Sequence, residues 1–357
     1  MKNISSILYL FISRIFLIFI PLAKNNKNPT IYENNKKCKF VFLPKEIVLK
    51  DDAFHSSKSS RFTEWWYFDA VFENGYSAQM AIRVLSIIKN RLVLVFQRLD
   101  IYKDGRLIKH NKKRIRFKKF NASYDKPSVK LAGKEVIKGH VDESSSRWIY
   151  DVIFEIDDYS ANLRFEGITN GFKGKVPASP GGDWWAVSLP RAKVTGKIKI
   201  NNEEIDVQGT GYHDHNWDVK GAAALKNLGW FWGKINTKNY TITWATIFKT
   251  IDLGQSLLVI NKKNGGFINV TPDKITFIGK DLYINHKKQI PHEFILQAKN
   301  EKVDLNFKMK TLDIHFEKTM MIMKYWRYHV ICTGWIKIDD EKELVNETHI
   351  AELLRFK

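Results

Sequence analysis

The chain has 357 residues, of which 44% are hydrophobic, 13% aromatic and 27% charged. That length is enough for two separately packed cores, since a single core stops growing near roughly 250–300 residues. The formal net charge is +20, but the lysines are scattered and carry no zinc-finger or RNP sequence, so nucleic acid is disfavoured as a partner.

The charge then has two readings. A lysine-rich background is the plainer one, and attraction to an anionic membrane face is the functional one. The two cysteines, Cys38 and Cys332, form no CxxC pair, which excludes a cysteine metal knuckle and gives no disulfide framework. The 11 Trp and 23 Phe favour strands and an apolar ligand cavity.

Residues 1–24 form a hydrophobic signal or anchor segment. Its apolar run approaches the roughly 20 residues of a membrane helix, with Arg14 near its middle as a cost. Lys24, Lys27, Lys36, Lys37 and Lys39 follow it, against Lys2 before it. The positive-inside rule then expects an uncleaved helix with the globular part on the cytoplasmic side. An exported chain with a cleaved signal is the alternative, although Pro21-Leu22-Ala23 is a poor cleavage site. Residues 25–44 are polar and read as a linker.

From there the apolar pattern has a period of two. Asn74-Gly75 lies between two apolar runs and signals a hairpin. Trp148, Tyr150, Val152 and Phe154 alternate, and so do Val303, Leu305, Phe307 and Met309. Turn signals recur at Lys103-Asp104-Gly105, Asn201-Asn202 and Asn264-Gly265-Gly266. A helical turn or two is expected only around 219–227. Many short strands give an all-β chain of barrels or sandwiches. The breaker cluster at 177–182 places a domain boundary near Pro190, with domains at 45–190 and 191–357.

Three segments could carry chemistry. Glu64-Trp65-Trp66-Tyr67 puts a carboxyl beside aromatic rings, which raises its pKa and suits a general acid, while an ion-paired strand-end glutamate is the preferred structural reading. Trp184-Trp185 precedes Pro190-Arg191. In Gly209-Thr210-Gly211-Tyr212-His213-Asp214-His215-Asn216-Trp217, a strand puts His213, His215 and Trp217 on one face. Tyr212, Asp214 and Asn216 take the other, and the glycines suggest a close backbone approach. Histidines beside an acid can move protons near neutral pH. A satisfied polar knot between two domains explains the same residues almost equally well, and a His-x-His metal site is weaker because no third ligand is evident by spacing. Trp230 and Trp232 alternate onto one face, either as core or as an aromatic wall. No Walker A, Rossmann glycine run, G-x-S-x-G elbow or HExxH motif occurs.

Together the segments resemble carotenoid 1,2-hydratases (hydroxyneurosporene synthases) and AttH-like proteins. Glu64 to Tyr67, Pro190 to Gly196 and Gly211 to Trp217 carry the resemblance, in the family's order. It covers the chain from about Lys45 onward. It implies two lipocalin-like antiparallel β domains that hold a hydrophobic isoprenoid, polyene or lipid, with no cofactor and no metal. Two positions depart from the hydratases: Asp218 stands where they carry glycine, and Trp244-Ala245-Thr246 where they carry tyrosine-x-aspartate.

The expected reaction is acid-catalysed water addition to a terminal C=C bond. Asp214 or protonated His215 supplies the proton, His213 or His215 positions water, and Tyr212 and Trp217 complete the catalytic set. Glu64, Trp65, Trp66, Trp185, Trp230, Trp232 and Trp244 are the expected ligand contacts. A non-catalytic carrier and a cyclase or isomerase of a hydrophobic product remain the alternatives.

Overall fold

The computed structural model describes residues 30–34, 41–56, 61–88, 91–176, 183–219, 229–248, 253–319 and 323–356. The expected anchor at 1–24, the breaker cluster at 177–182 and the helical turns beyond Val219 lie outside them. Among the described residues the helical elements are three short 3-10 turns, and no helix is long and apolar enough to cross a membrane.

Period-two alternation becomes strand wherever it was strong. Val303, Leu305, Phe307 and Met309 all point into one core and are at most 1% exposed. Tyr150, Val152 and Phe154 do the same in another. Burying each such side chain contributes about 1.5–3 kcal/mol. The Asn74-Gly75 turn joins strands Thr63–Phe72 and Tyr76–Ile88, with Gly75 at φ +81°. That left-handed conformation is one glycine adopts freely.

Two sheets result. In the first, Arg106–Ile115, Leu92–Lys103, Tyr76–Ile88, Thr63–Phe72, Glu203–Val219 and Asp183–Ile200 lie side by side in that order, and further strands continue to Phe120–Ala122. In the second, Ile275–Asn285 leads through Lys288–Lys299, Val303–Thr319, Met323–Ile338 and Glu341–Phe356 to Gly229–Asn236, Tyr240–Phe248 and Leu253–Lys262. Strand Thr30–Asn34 pairs with both Ile275–Asn285 and Leu253–Lys262, which closes that sheet on itself. This is the architecture of two lipocalin-like barrel domains.

The sheets divide between Val219 and Gly229, not at Pro190. Pro190 lies inside strand Asp183–Ile200. Proline cannot donate to a ladder, and the pairing with Glu203–Val219 shifts register between Leu189 and Ala192 around it. The expected linker also contributes a strand, Thr30–Asn34.

Each sheet encloses its own core. A third apolar cluster joins them: Tyr67, Trp185 and Tyr212 from the first sheet meet Trp232, Ile247 and Leu257 from the second. Strand alternation decides which side chains reach it. On Thr63–Phe72, Trp66 and Phe68 enter the first core, while Trp65, Tyr67 and Asp69 face the second sheet.

Candidate active site between the two sheets

Strand Glu203–Val219 separates the residues of its central motif onto opposite faces. Gly209 permits the pairing with Thr63–Phe72, since a Cβ there would lie 2.1 Å from the Val71 carbonyl oxygen. The register sets His213 against Phe68, Asp214 against Tyr67 and His215 against Trp66.

The histidine face belongs to the first barrel. Nδ1 of His213 faces the Tyr67 carbonyl at 2.9 Å, and Nε2 faces Asp52 Oδ2 at 2.8 Å. Nε2 of His215 faces Glu64 Oε1 at 2.9 Å. Its Nδ1 lies 3.2 Å from Asp52 Oδ1, an ion-pair distance without hydrogen-bond alignment. All four side chains are fully buried. Glu64 also accepts the backbone N–H groups of His55 and Ser56, and Trp66 Nε1 donates to the Asp52 carbonyl. His213 stacks on Phe68, His215 on Trp66, and Trp217 on His55.

This is a closed ionic knot. Burial opposes charge on Asp52, Glu64 and His215, but their partners prevail: the histidines hold Asp52 and Glu64 down, Glu64 at about 2, and the two carboxylates raise His215 to about 9. His55, Glu64 and His215 carry the one cation-sized cluster of ligand atoms among the described residues, within 4.8 Å of one another.

Stability should follow these charges. His215, raised in the folded state, contributes fully below the ordinary histidine value of about 6.5, and the contribution is lost as pH rises through about 9. His329 and His349 are buried and pushed down to about 3, and His315 to about 4, so their contribution is lost as pH falls below about 6.5. Denaturant unfolding between pH 4 and 10 should therefore peak near pH 6.5. The loss toward pH 9 should shrink in His215→Gln.

The opposite face of the strand opens on a cavity between the sheets. Its empty space is about 1250 Å³, solvent at the mouth included. Trp65, Trp185, Trp230 and Trp232 wall it, with Ala245, Ile247 and Leu257. Asp214 lines it and is 5% exposed. Trp185 Nε1 donates to Asp214 Oδ2 at 3.0 Å, Tyr212 Oη donates to the same oxygen at 2.8 Å, and Asn216 Nδ2 approaches Oδ1 at 3.3 Å. Burial outweighs these donors and raises the carboxyl to about 6. Trp232 stacks on Tyr212 with ring centroids 5.2 Å apart.

A second polar group borders the cavity. Arg327 donates to Tyr67 Oη at 2.7 Å and to Glu352 Oε1 at 2.5 Å. Tyr67 Oη reaches Glu352 at 2.6 Å and Asp69 at 3.0 Å, and Lys234 pairs with Asp69. Burial keeps the Tyr67 phenol protonated far above its ordinary range.

The structure thus brings Asp214, Tyr212, Trp65, Trp185, Trp230 and Trp232 together. It does not bring His213, His215, Glu64, Trp66, Trp217 or Trp244 to the cavity. The first five sit in or against the ionic knot, and Trp244 packs into the second core against Phe231 and Phe277. The knot lies within the first barrel rather than bridging two domains. Sequence reasoning missed Asp52, Tyr67, Arg327 and Glu352. Nothing local marks Asp52, whereas Arg327 and Glu352 are charges on strands whose flanking residues are apolar on both sides, Trp326 and Tyr328 around one, Ala351 and Leu353 around the other.

Solved structures share this fold. A candidate AttH from Nitrosomonas europaea is 17% identical, with a TM-score of 0.67 over 88% of this chain and 98% of that one. Kievitone hydratase from Nectria haematococca is 11% identical, with a TM-score of 0.56 over 92% and 97%. CghA bound to Sch210972 is 10% identical, with a TM-score of 0.51 over 83% and 88%. The chain therefore has the lipocalin-like two-barrel fold of these AttH-type proteins. No protein-family model and no curated protein matches the sequence significantly.

Proposed function

We propose that the chain is a hydratase-like enzyme that binds an apolar, unsaturated small molecule between its two sheets and adds water to a C=C bond. The carrying observation is Asp214: a carboxyl raised to about 6, buried at an aromatic-walled cavity and oriented by Trp185 and Tyr212. A carrier needs the cavity but not an acid kept ready to donate a proton. The fold shared with kievitone hydratase points the same way.

The chemistry is self-contained. Asp214 gives its proton to the less substituted alkene carbon, and the π electrons form the new C–H bond. The cation left on the more substituted carbon faces the indole rings of Trp230 and Trp232, whose π faces stabilise positive charge. A water oxygen then bonds to that carbon, and its surplus proton returns to the Asp214 carboxylate. The aromatic and aliphatic walls limit the access of bulk water that would otherwise trap the cation at random. This assigns the proton to Asp214 rather than His215, and leaves His213 and His215 no contact with substrate.

The acid must be protonated in the free enzyme. Turnover per unit of enzyme at low substrate should be level below pH 6 and fall about tenfold per pH unit above it. A profile that rises through pH 6 would mean that the carboxylate acts as a base instead. The test is product mass: conversion should add one water, with one solvent deuteron on carbon in D2O.

A further inference from the structure

The cavity is polarised along its length. Strand pairing sets Asp214, Tyr67, Ala81, Arg98 and Lys112 in one row across five adjacent strands. Asn216, Trp65, Arg83 and Phe96 form the next row. All of them line the cavity. The acid lies at one side, and Arg83, Arg98 and Lys112 gather at the other.

Those cations outnumber their carboxylates. Arg98 is paired with Asp100 at 2.5 Å and with Glu317 at 2.7 Å. Lys112 only shares Glu317, at 3.9 Å. Arg83 lies over the Trp65 ring at 5.1 Å and has no ion pair among the described residues. Burial, and then the two neighbouring guanidinium groups, push the Lys112 ammonium down to about 8.

We propose, building on the reading of Asp214 as proton donor, that the substrate is an amphiphile whose anionic head, a carboxylate, sits against Arg83 and Lys112 while its unsaturated chain runs across the sheet to Asp214. Strands are about 4.8 Å apart. Arg83 is two strands from the Asp214 strand and Lys112 four, so head and reacting carbon are separated by roughly 10–19 Å. A neutral hydrocarbon would leave the cationic end unanswered.

The test compares farnesoate with farnesol on the full chain, by quenching of tryptophan fluorescence. Farnesoate should bind about tenfold or more tightly. Arg83→Gln should abolish that preference, lowering the farnesoate affinity by far more than the farnesol affinity. Equal affinities in the wild type, or a preference that survives both Arg83→Gln and Lys112→Gln, would overturn the head-group assignment alone. Binding of neither compound would overturn the cavity reading beneath it.

Discussion

Replacing Asp214 by Asn lowers turnover by about 10²–10⁴-fold, the usual contribution of a general acid, while the fold survives. The amide keeps the size of the carboxyl and still accepts from Trp185 Nε1 and Tyr212 Oη. It also removes the burial cost that the ionised carboxylate carries above pH 6, so thermal stability at pH 7.5 stays level or rises. Ligand affinity changes little, because aromatic contacts dominate the cavity wall. The measurement is single-turnover kinetics beside a melting curve. A loss of activity explained wholly by unfolding would contradict the assignment, and so would activity within a few-fold of wild type.

Asp52→Ala has the opposite profile. It removes the acceptor facing His213 Nε2 and the carboxylate beside His215 Nδ1, and leaves a buried imidazolium with Glu64 alone. Breaking a buried ion pair from one side costs about 3–5 kcal/mol. At about 2–4 °C per kcal/mol, that is a melting-point drop of roughly 6–20 °C. The rate per folded molecule, measured well below the transition, stays within a few-fold, since the knot lies behind the strand that carries Asp214. A variant that melts like wild type but turns over far more slowly would return the histidines to the chemistry.

The two variants act on one strand, and its alternation was legible in the sequence. Tyr212, Asp214 and Asn216 do part from His213, His215 and Trp217. Which side would face a ligand was not legible. That depends on where the second sheet packs, and no short stretch of sequence encodes it. The cluster of His and Asp looked like one site because neighbours in sequence share chemistry there, yet a strand sends them about 180° apart. The partners that complete each site come from far along the chain. Glu352 is 285 residues from Tyr67, and Asp52 is 161 from His213. The β class followed from period and composition. The division at Val219–Gly229 did not, because a proline inside a strand is also a breaker signal.

The most direct test of the central claim asks whether the space between the sheets holds the ligand. Ala81 lies in the row between Tyr67 and Arg98 and lines that space. The full-length protein and its Ala81→Trp variant, purified from the native cells, are extracted with organic solvent, and the extracts are analysed by mass spectrometry. Wild type should carry an unsaturated amphiphile in near-stoichiometric amount, and the filled variant, folded by circular dichroism, should carry almost none. An empty wild type, or equal loading of the two proteins, would contradict the account.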